Sequence, residues 1–252
     1  MMRTLKALGL CIILMASRQA MGAVYNIPGD FASIQAAIDG AASGSTINVD
    51  PGTYAEYVTV LDLNKDLYFR ATGGPDVTII DGGGAEKLLY VANGPNGDSN
   101  RNVVFDGFTF ANGREMGSAQ SPITIADAKT VFLNCVIRDN MAGEKGGALL
   151  VFGQHAHPKF LNCTFRNNFS RQTGGAALIN GEQALATFKE CLFEKNSNRW
   201  NDSSAADNGG GAVYFGEAGG YILDSVFRSN NCSYAGGAVT SINQTVVGIA
   251  DN

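Results

Sequence analysis

The segment VFLNCVIRDN at residues 131–140 recurs as KFLNCTFRNN at 159–168, TFKECLFEKN at 187–196 and YILDSVFRSN at 221–230. Each copy is followed by a Gly-Gly-Ala step, and the steps end at Ala148, Ala176, Ala212 and Ala238. Repetition at a period of about 28 residues is typical of a solenoid, in which each unit stacks on the next. The closing asparagines of the copies are 28, 28 and 34 residues apart, so one unit carries an insertion. We place it between Asn196 and Gly210.

Within a unit, apolar and polar residues alternate as expected for a strand with one buried face. Cys163 and Phe165 alternate with Thr164 and Arg166, whereas Phe160 breaks the parity, so we expect a bend near Asn162. A unit is too short to hold a helix between strands. Each strand can therefore pair only in parallel with the next unit, which predicts an all-β fold of the parallel β-helix type.

The alignment also predicts which side chains stack in columns. One inward column should contain Phe110, Ile137, Phe165, Phe193 and Phe227, and a second should contain Cys135, Cys163, Cys191 and Ser225. The closing asparagines should bond to one another between coils, because Asn tolerates turn conformations and carries both a donor and an acceptor. Pairs such as Gly174-Gly175 should supply turn angles that other residues resist.

The N-terminal part predicts a short helix that closes one end of the stack. Asp30 is placed to cap a helix that carries Phe31, Ile34 and Ile38 on one face and ends near Gly44. Strands are then predicted at residues 46–49, 57–61, 67–71, 77–80, 88–92 and 103–110.

Residues 1–22 have the pattern of a secretory signal. Arg3 and Lys6 precede an apolar run of about ten residues, which is too short to span a bilayer. Without this segment, 15 basic residues remain against 23 acidic ones, a formal charge of −8. The sequence therefore predicts a β-helix domain at residues 23–252 that is secreted or extracellular, with no transmembrane span. Because no basic stripe is present, nucleic acid is an unsuitable partner.

The last residues, Ile249 to Asn252, match the close of another repeat. No polar segment follows that would cover the final coil, and a solenoid needs such a cap for solubility. We therefore expect that the sequence is truncated at its C-terminal end, and that the protein is a monomer or part of a longer chain.

Two resemblances cover most of the mature chain. The stretch from Ile27 to Gly82, which contains GTYAE and ends in VTIIDG, resembles the opening of pectate-lyase-like proteins. That resemblance implies a right-handed, single-stranded parallel β-helix. From Asn134 onward, the F-x-x-N and G-G-A pattern resembles the repeats of polymorphic outer membrane proteins. This second resemblance implies a surface-exposed, outer-membrane-associated chain that acts in adhesion.

The first resemblance also extends to families of pectin-acting enzymes. Gln120 and the strand at Phe132 to Cys135 resemble part of the pectin methylesterase active-site region. Where that family carries a Gln-Asp pair, this chain has Asn140-Met141-Ala142, so the nucleophile and the general acid are missing. The aspartate pairs and Gly-His-Gly of polygalacturonases are also missing. A calcium-dependent lyase of the pectate type stays open, because the positions of its aspartates and arginine vary among subfamilies.

The residues picked as a ligand site lie in the inserted loop. Trp200 is the only tryptophan and is flanked by Arg199, Asn201 and Asp202. An aromatic face beside hydrogen-bonding groups suits a sugar ring. The alternative is a loop that folds back so that Trp200 covers the stack.

Metal sites are weaker candidates. His155 and His157 are the only histidines and would share one face of an extended segment, yet no third ligand is evident. Asp98, in the polar run NGPNGDSN, could hold calcium, although such runs are commonly solvated loops. The three aligned cysteines are expected to form a buried thiol stack, because their side chains point the same way.

The function predicted from the sequence is a non-catalytic adhesion or glycan-binding scaffold, whose partner is a cell-surface glycan or protein. The alternative is a polysaccharide-active enzyme of the pectate-lyase-like group, a lyase with calcium as its cofactor. Three or more carboxylates beside an arginine in a groove would favour the enzyme. A spacer for a further module is the third option.

Overall fold

The computed structural model describes residues 22–61, 65–93, 102–117, 120–199, 209–233, 236–242 and 247–250. The described strands form four parallel sheets, which run along a right-handed parallel β-helix. The fold class predicted from the repeats is thus confirmed. Residues 1–21 of the predicted signal lie outside the described residues.

Successive coils add strands to the same sheets; the first three sheets begin in the N-terminal coils, whereas the fourth begins at Arg114–Glu115. The first sheet consists of Val24–Ile27, Ser45–Val49, Leu67–Ala71, Val103–Asp106, Thr130–Leu133, Lys159–Leu161, Leu185–Lys189, Gly219–Leu223 and Val247–Ala250. The second sheet consists of Gly52–Tyr54, Thr78–Asp81, Thr109–Ala111, Val136–Arg138, Thr164–Arg166, Leu192–Glu194 and Val226–Arg228. The third sheet consists of Val58–Leu61, Leu89–Ala92, Ile123–Ala126, Leu149–Phe152, Ala177–Asn180, Val213–Gly216 and Val239–Ile242. The fourth consists of Arg114–Glu115, Met141–Ala142, Phe169–Ser170, Ser197–Asn198 and Asn231–Cys232.

The bend between the first and second sheets comes from residues in the left-handed region. Asn162 has φ 53°, and the aligned residues in other coils are Gly107, Asn134, Glu190 and Asp224, all at positive φ. Glycine and asparagine adopt this conformation at low cost. The bend predicted near Asn162 is therefore confirmed, and it explains why Phe160 and Phe165 both point inward.

The predicted inward columns are present. Phe110, Ile137 and Phe165 pair in register along the second sheet, and the column continues through Phe193 to Phe227. The rings of Phe193 and Phe227 stack with centroids 4.7 Å apart. Stacked aromatic rings add stabilisation to the area that they bury. The columns fix the register of each coil on the one before it.

The cysteine column lies at the corner between the first and second sheets. Cys135, Cys163 and Cys191 are buried free thiols, and each Sγ donates to a backbone carbonyl of the preceding coil. Ser225 continues the column and accepts a hydrogen bond from the Cys191 backbone N–H at 3.0 Å. The thiol stack predicted from the sequence is confirmed.

The two glycines of each Gly-Gly-Ala step have different tasks. Gly174 lies at φ 61°, which is the turn role that the sequence predicted. Gly175 is required for space, because a Cβ at this position would lie 2.1 Å from the carbonyl oxygen of Gly211. The steps of neighbouring coils therefore touch backbone to backbone.

The N-terminal helix differs in detail from the prediction. It runs Ile34–Gly40, and its N-cap is Ser33, whose hydroxyl accepts from Ala36 N at 3.0 Å. Asp30 was the wrong cap, because its carboxylate instead accepts the backbone N–H of Asn26. Ile34 and Ile38 are buried against the first coils, so the helix covers that end of the core. Within the described ranges, no helix has the length and hydropathy needed to cross a membrane.

Strand boundaries in the N-terminal half also needed correction. The predicted strand at 103–110 is two strands, Val103–Asp106 and Thr109–Ala111, because Gly107 at φ 77° turns the chain between sheets. The strand Gly52–Tyr54 was not predicted, since Gly and Pro surround it. The other predicted strands of this region agree with the structure to within one residue at each end.

Candidate functional site

An open groove lies where the N-terminal coils enter the third sheet. Its volume is about 680 Å³, which falls within the range of small-molecule sites. Turn residues and the first strand of the fourth sheet form its walls. The lining residues are Tyr57, Gly84, Ala85, Glu86, Lys87, Arg114, Glu115 and Met116.

One wall of the groove is a glycine-rich turn. Gly83 and Gly84 both adopt positive φ, and Gly84 N donates to the backbone oxygen of Asn112 at 2.7 Å. Arg114 N then donates to the Glu86 carbonyl at 2.8 Å. These backbone bonds place Lys87 and Glu115 side by side, although they are distant in sequence.

Lys87 is held by two acceptors, Glu115 in the first strand of the fourth sheet and Gln120 beyond that strand. Its ammonium lies 3.0 Å from a Glu115 carboxylate oxygen and 2.6 Å from the amide oxygen of Gln120. The second Glu115 oxygen accepts from Gly117 N at 3.1 Å. The Glu115 side chain is only 11% exposed, whereas that of Lys87 is 29% exposed. A pair that is shielded in this way interacts more strongly than an ion pair in open solvent.

Tyr57 forms the aromatic side of the groove and remains 38% exposed. Burial raises the pKa of the Tyr57 phenol above its ordinary value, with Tyr90 and Glu115 adding to the shift and Lys87 opposing it. The phenol is therefore protonated at neutral pH and can donate a hydrogen bond. Together with the exposed Arg114, the groove offers an aromatic face, a neutral donor and two cations.

Of the four residues predicted as a ligand site in the inserted loop, the structure describes only Arg199. Arg199 is exposed and its backbone N–H donates to the Ser170 carbonyl at 3.1 Å. Trp200, Asn201 and Asp202 lie outside the described residues. The sugar site predicted in this loop therefore stays a prediction.

The two histidines flank a buried residue, Ala156, in a turn before the first sheet. The His155 ring Nδ1 lies 3.7 Å from Asp127 Oδ1. The same carboxylate oxygen accepts the backbone N–H of His155 at 3.1 Å. His157 instead contacts the Gln183 carbonyl at 3.2 Å, so the structure gives the two rings different partners. Asp98 lies outside the described residues.

In the ranges that the structure describes, no three His, Cys, Asp or Glu side chains come together as a metal-binding group. The pattern that would favour a calcium-dependent lyase, several carboxylates beside an arginine, is therefore not found in those ranges. Calcium binding remains a prediction, since Asp98 is not among the residues described.

Solved structures with a similar chain path are pectin methylesterases. The enzyme from Aspergillus niger is 14% identical with a TM-score of 0.45, over 93% of this chain and 87% of that one. The carrot enzyme is 14% identical with a TM-score of 0.45, over 91% and 82%. The rice weevil enzyme is 13% identical with a TM-score of 0.36, over 90% and 88%. No family model matches the sequence, and no curated protein matches it.

Similarity of this degree gives no information about activity. The fold is established by the strand pairing of this chain. Asn140, which stands where the resemblance would require the Gln-Asp pair, is buried and bonds to Asn168 and the Phe110 carbonyl. Its side chain is therefore directed into the stack and not toward a substrate.

The sequence analysis names Gln120 only within the resemblance to pectin methylesterases, and it does not identify Tyr57, Lys87 or Glu115 as site residues. The strand pairing brings these residues together, because Val58 and Ile123 both pair with Leu89, so that Tyr57 lies beside Leu88, and Lys87 beside Ser121. The sequence gives no signal for this register, because the coil lengths of this half are irregular.

Proposed function

We propose that the protein is an exported β-helix protein that recognises a polysaccharide, and that the groove around Tyr57 is its carbohydrate site. The observation that supports this most directly is the convergence of an exposed aromatic face with Lys87 and Arg114 in one open groove. Sugar rings pack on aromatic faces and bond through hydroxyl groups to polar side chains. An open groove also suits a chain molecule.

One feature supports an extracellular setting for this activity: residues 1–22 have the pattern of a secretory signal. A polysaccharide outside the cell, whether free or on a surface, is the partner that fits both the export signal and the groove.

Binding of purified protein to a panel of soluble polysaccharides tests the proposal. Titration calorimetry should find at least one ligand, and Tyr57→Ala should weaken its binding about fivefold, since loss of an aromatic contact costs roughly 1 kcal/mol. Tyr221→Ala is the matched control, because Tyr221 is a similarly exposed tyrosine on the first sheet. Absence of binding, or equal effects of the two variants, would contradict the proposal.

Catalysis at the same groove is a second candidate, and it corresponds to the enzyme alternative from the sequence. The groove brings together a phenol, an ammonium and a carboxylate, the groups that general acid and base catalysis uses. Product assays for unsaturated sugars and for new reducing ends separate it from simple binding. A product that Lys87→Met abolishes would make the protein an enzyme.

A further inference from the structure

The N-terminal end of the stack contains the edges of two parallel sheets. Among the described strands, Val24–Ile27 ends the first sheet on this side and Val58–Leu61 ends the third. Each edge strand pairs with one neighbouring strand, so alternate backbone N–H and C=O groups face away from the sheet. Such an edge can pair with a strand of another molecule unless it is covered. Val24 is 63% exposed and Leu61 is 53% exposed, so both edge strands also carry apolar side chains at the surface.

The side chain of Gln35 covers the edge of the third sheet. Thr59 is the residue whose N–H and C=O face outward, because the N–H of Val58 points into the sheet and donates to Leu88 O. Gln35 Oε1 accepts from Thr59 N at 2.7 Å, and Gln35 Nε2 donates to Thr59 O at 3.0 Å. One side-chain amide therefore makes the two hydrogen bonds that a neighbouring strand would make.

Asp30 covers the edge of the first sheet in a similar way. Asn26 is the outward residue of this strand, because Ile27 O accepts from Asp50 N inside the sheet. The Asp30 carboxylate accepts the backbone N–H of Asn26 at 2.8 Å, and Asp30 N donates to Asn26 O at 2.9 Å. The residue that the sequence predicted as a helix cap thus completes the hydrogen bonding of a sheet edge.

We propose that residues 30–35 form an edge cap, which keeps the N-terminal end of the molecule from pairing with that of a second copy. Glu56 anchors the edge cap, because its carboxylate oxygens accept from Ile34 N and Gln35 N, both at 3.0 Å. A second copy is the partner that fits an uncovered edge. The same edge on another molecule has the same pattern of donors and acceptors, so the two pair antiparallel about a twofold axis.

Sedimentation of the purified protein tests the edge cap. Gln35→Met keeps the length of the side chain and removes both hydrogen bonds to Thr59. It should lower the dissociation constant of self-association at least about tenfold relative to the unmutated protein. Gln183→Met is the matched control, because Gln183 is exposed in a turn of a later coil, and it should leave the sedimentation unchanged.

A second substitution locates the surface through which the molecules associate. Leu61→Lys places a charge on the uncovered edge strand, so adding it to Gln35→Met should reverse the association. Asp30→Ala applies the same test to the first sheet and covers the case in which Gln35→Met does not fold, since Asp30 is exposed. Circular dichroism identifies the folded variants. Folded variants that sediment like Gln183→Met, or association that Leu61→Lys leaves unchanged, would overturn the edge cap.

Discussion

The Asn168 side-chain oxygen accepts two hydrogen bonds from Asn140 of the preceding coil, one from its backbone N–H and one from its side-chain amide, both at 3.1 Å. Asn168 in turn donates its amide to Asn196 and to the Ile137 carbonyl. Each buried asparagine thus satisfies a backbone donor that would otherwise have no partner at a turn. The bond between coils that the sequence predicted for these residues is confirmed.

Replacing Asn168 by Ala should therefore destabilise the fold by about 3 kcal/mol or more, because two donors of Asn140 lose their acceptor in a buried site. Asn180→Ala removes the same side chain from an exposed strand end and should change stability by less than about 0.5 kcal/mol. Urea unfolding of both variants gives the comparison. Equal midpoints would show that the column carries no stability of its own.

Gly175→Ala should destabilise the protein by about 3 kcal/mol, since the added methyl group meets backbone of the next coil. Gly117→Ala is the control, as its Cβ would meet nothing within 4 Å and neither glycine has a positive φ. Thermal unfolding distinguishes the two. A mild effect at Gly175 would mean that the coils separate locally without cost.

The cysteine column should resist alkylation in the folded protein. Burial, followed by the hydrogen bonds of Cys135 and Cys191, raises the pKa of the Cys163 thiol well above its ordinary value, so little thiolate forms. Cys232 is partly exposed and should react with iodoacetamide at least about tenfold faster at pH 8. Mass spectrometry of digested protein identifies the labelled positions. Equal labelling of Cys163 and Cys232 before unfolding would contradict this.

Tyr68 should titrate late, because its hydroxyl donates to Asp106 at 2.5 Å and this bond raises the pKa of Tyr68 to about 12. A raised phenol pKa stabilises the folded state below the ordinary value near 10, and this contribution is lost as the pH rises through about 12. Asp106→Asn should move the titration toward lower pH. Difference absorbance at 295 nm against Tyr68→Phe isolates this phenol; an unchanged curve in Asp106→Asn would refute the assignment.

The repeats predict the second half of the fold well, because every column there has a chemical reason. Phe165, Cys163 and Asn168 each align with a residue of the same or similar type one coil away, so their spacing fixes the register. The first half has no such repetition. Ser45 pairs with Leu67 and Leu67 with Val103, at separations of 22 and 36 residues, so the coil length varies.

The groove could not be predicted for the same reason. Lys87 and Glu115 are brought together by the variable coils, and neither belongs to a recurring motif. The sequence predicts Tyr57 as the first residue of a strand, whereas it lies in the irregular segment ahead of Val58–Leu61. The sequence instead favours a sugar site in the inserted loop, because Trp200 can be recognised there without knowing the register of the strands.

The inserted unit shows what the stack leaves unconstrained. A short connection between the fourth and third sheets runs from Ser170 to Ala177 in one coil, and a longer one runs from Asn198 to Val213 in the next. Ser170 still pairs with Asn198, and Ala177 still pairs with Val213. Chain length at this corner is thus independent of the core. Selection can lengthen or shorten that connection by single residues without moving a buried side chain, so new surface chemistry can arise there while the rest of the molecule keeps its stability.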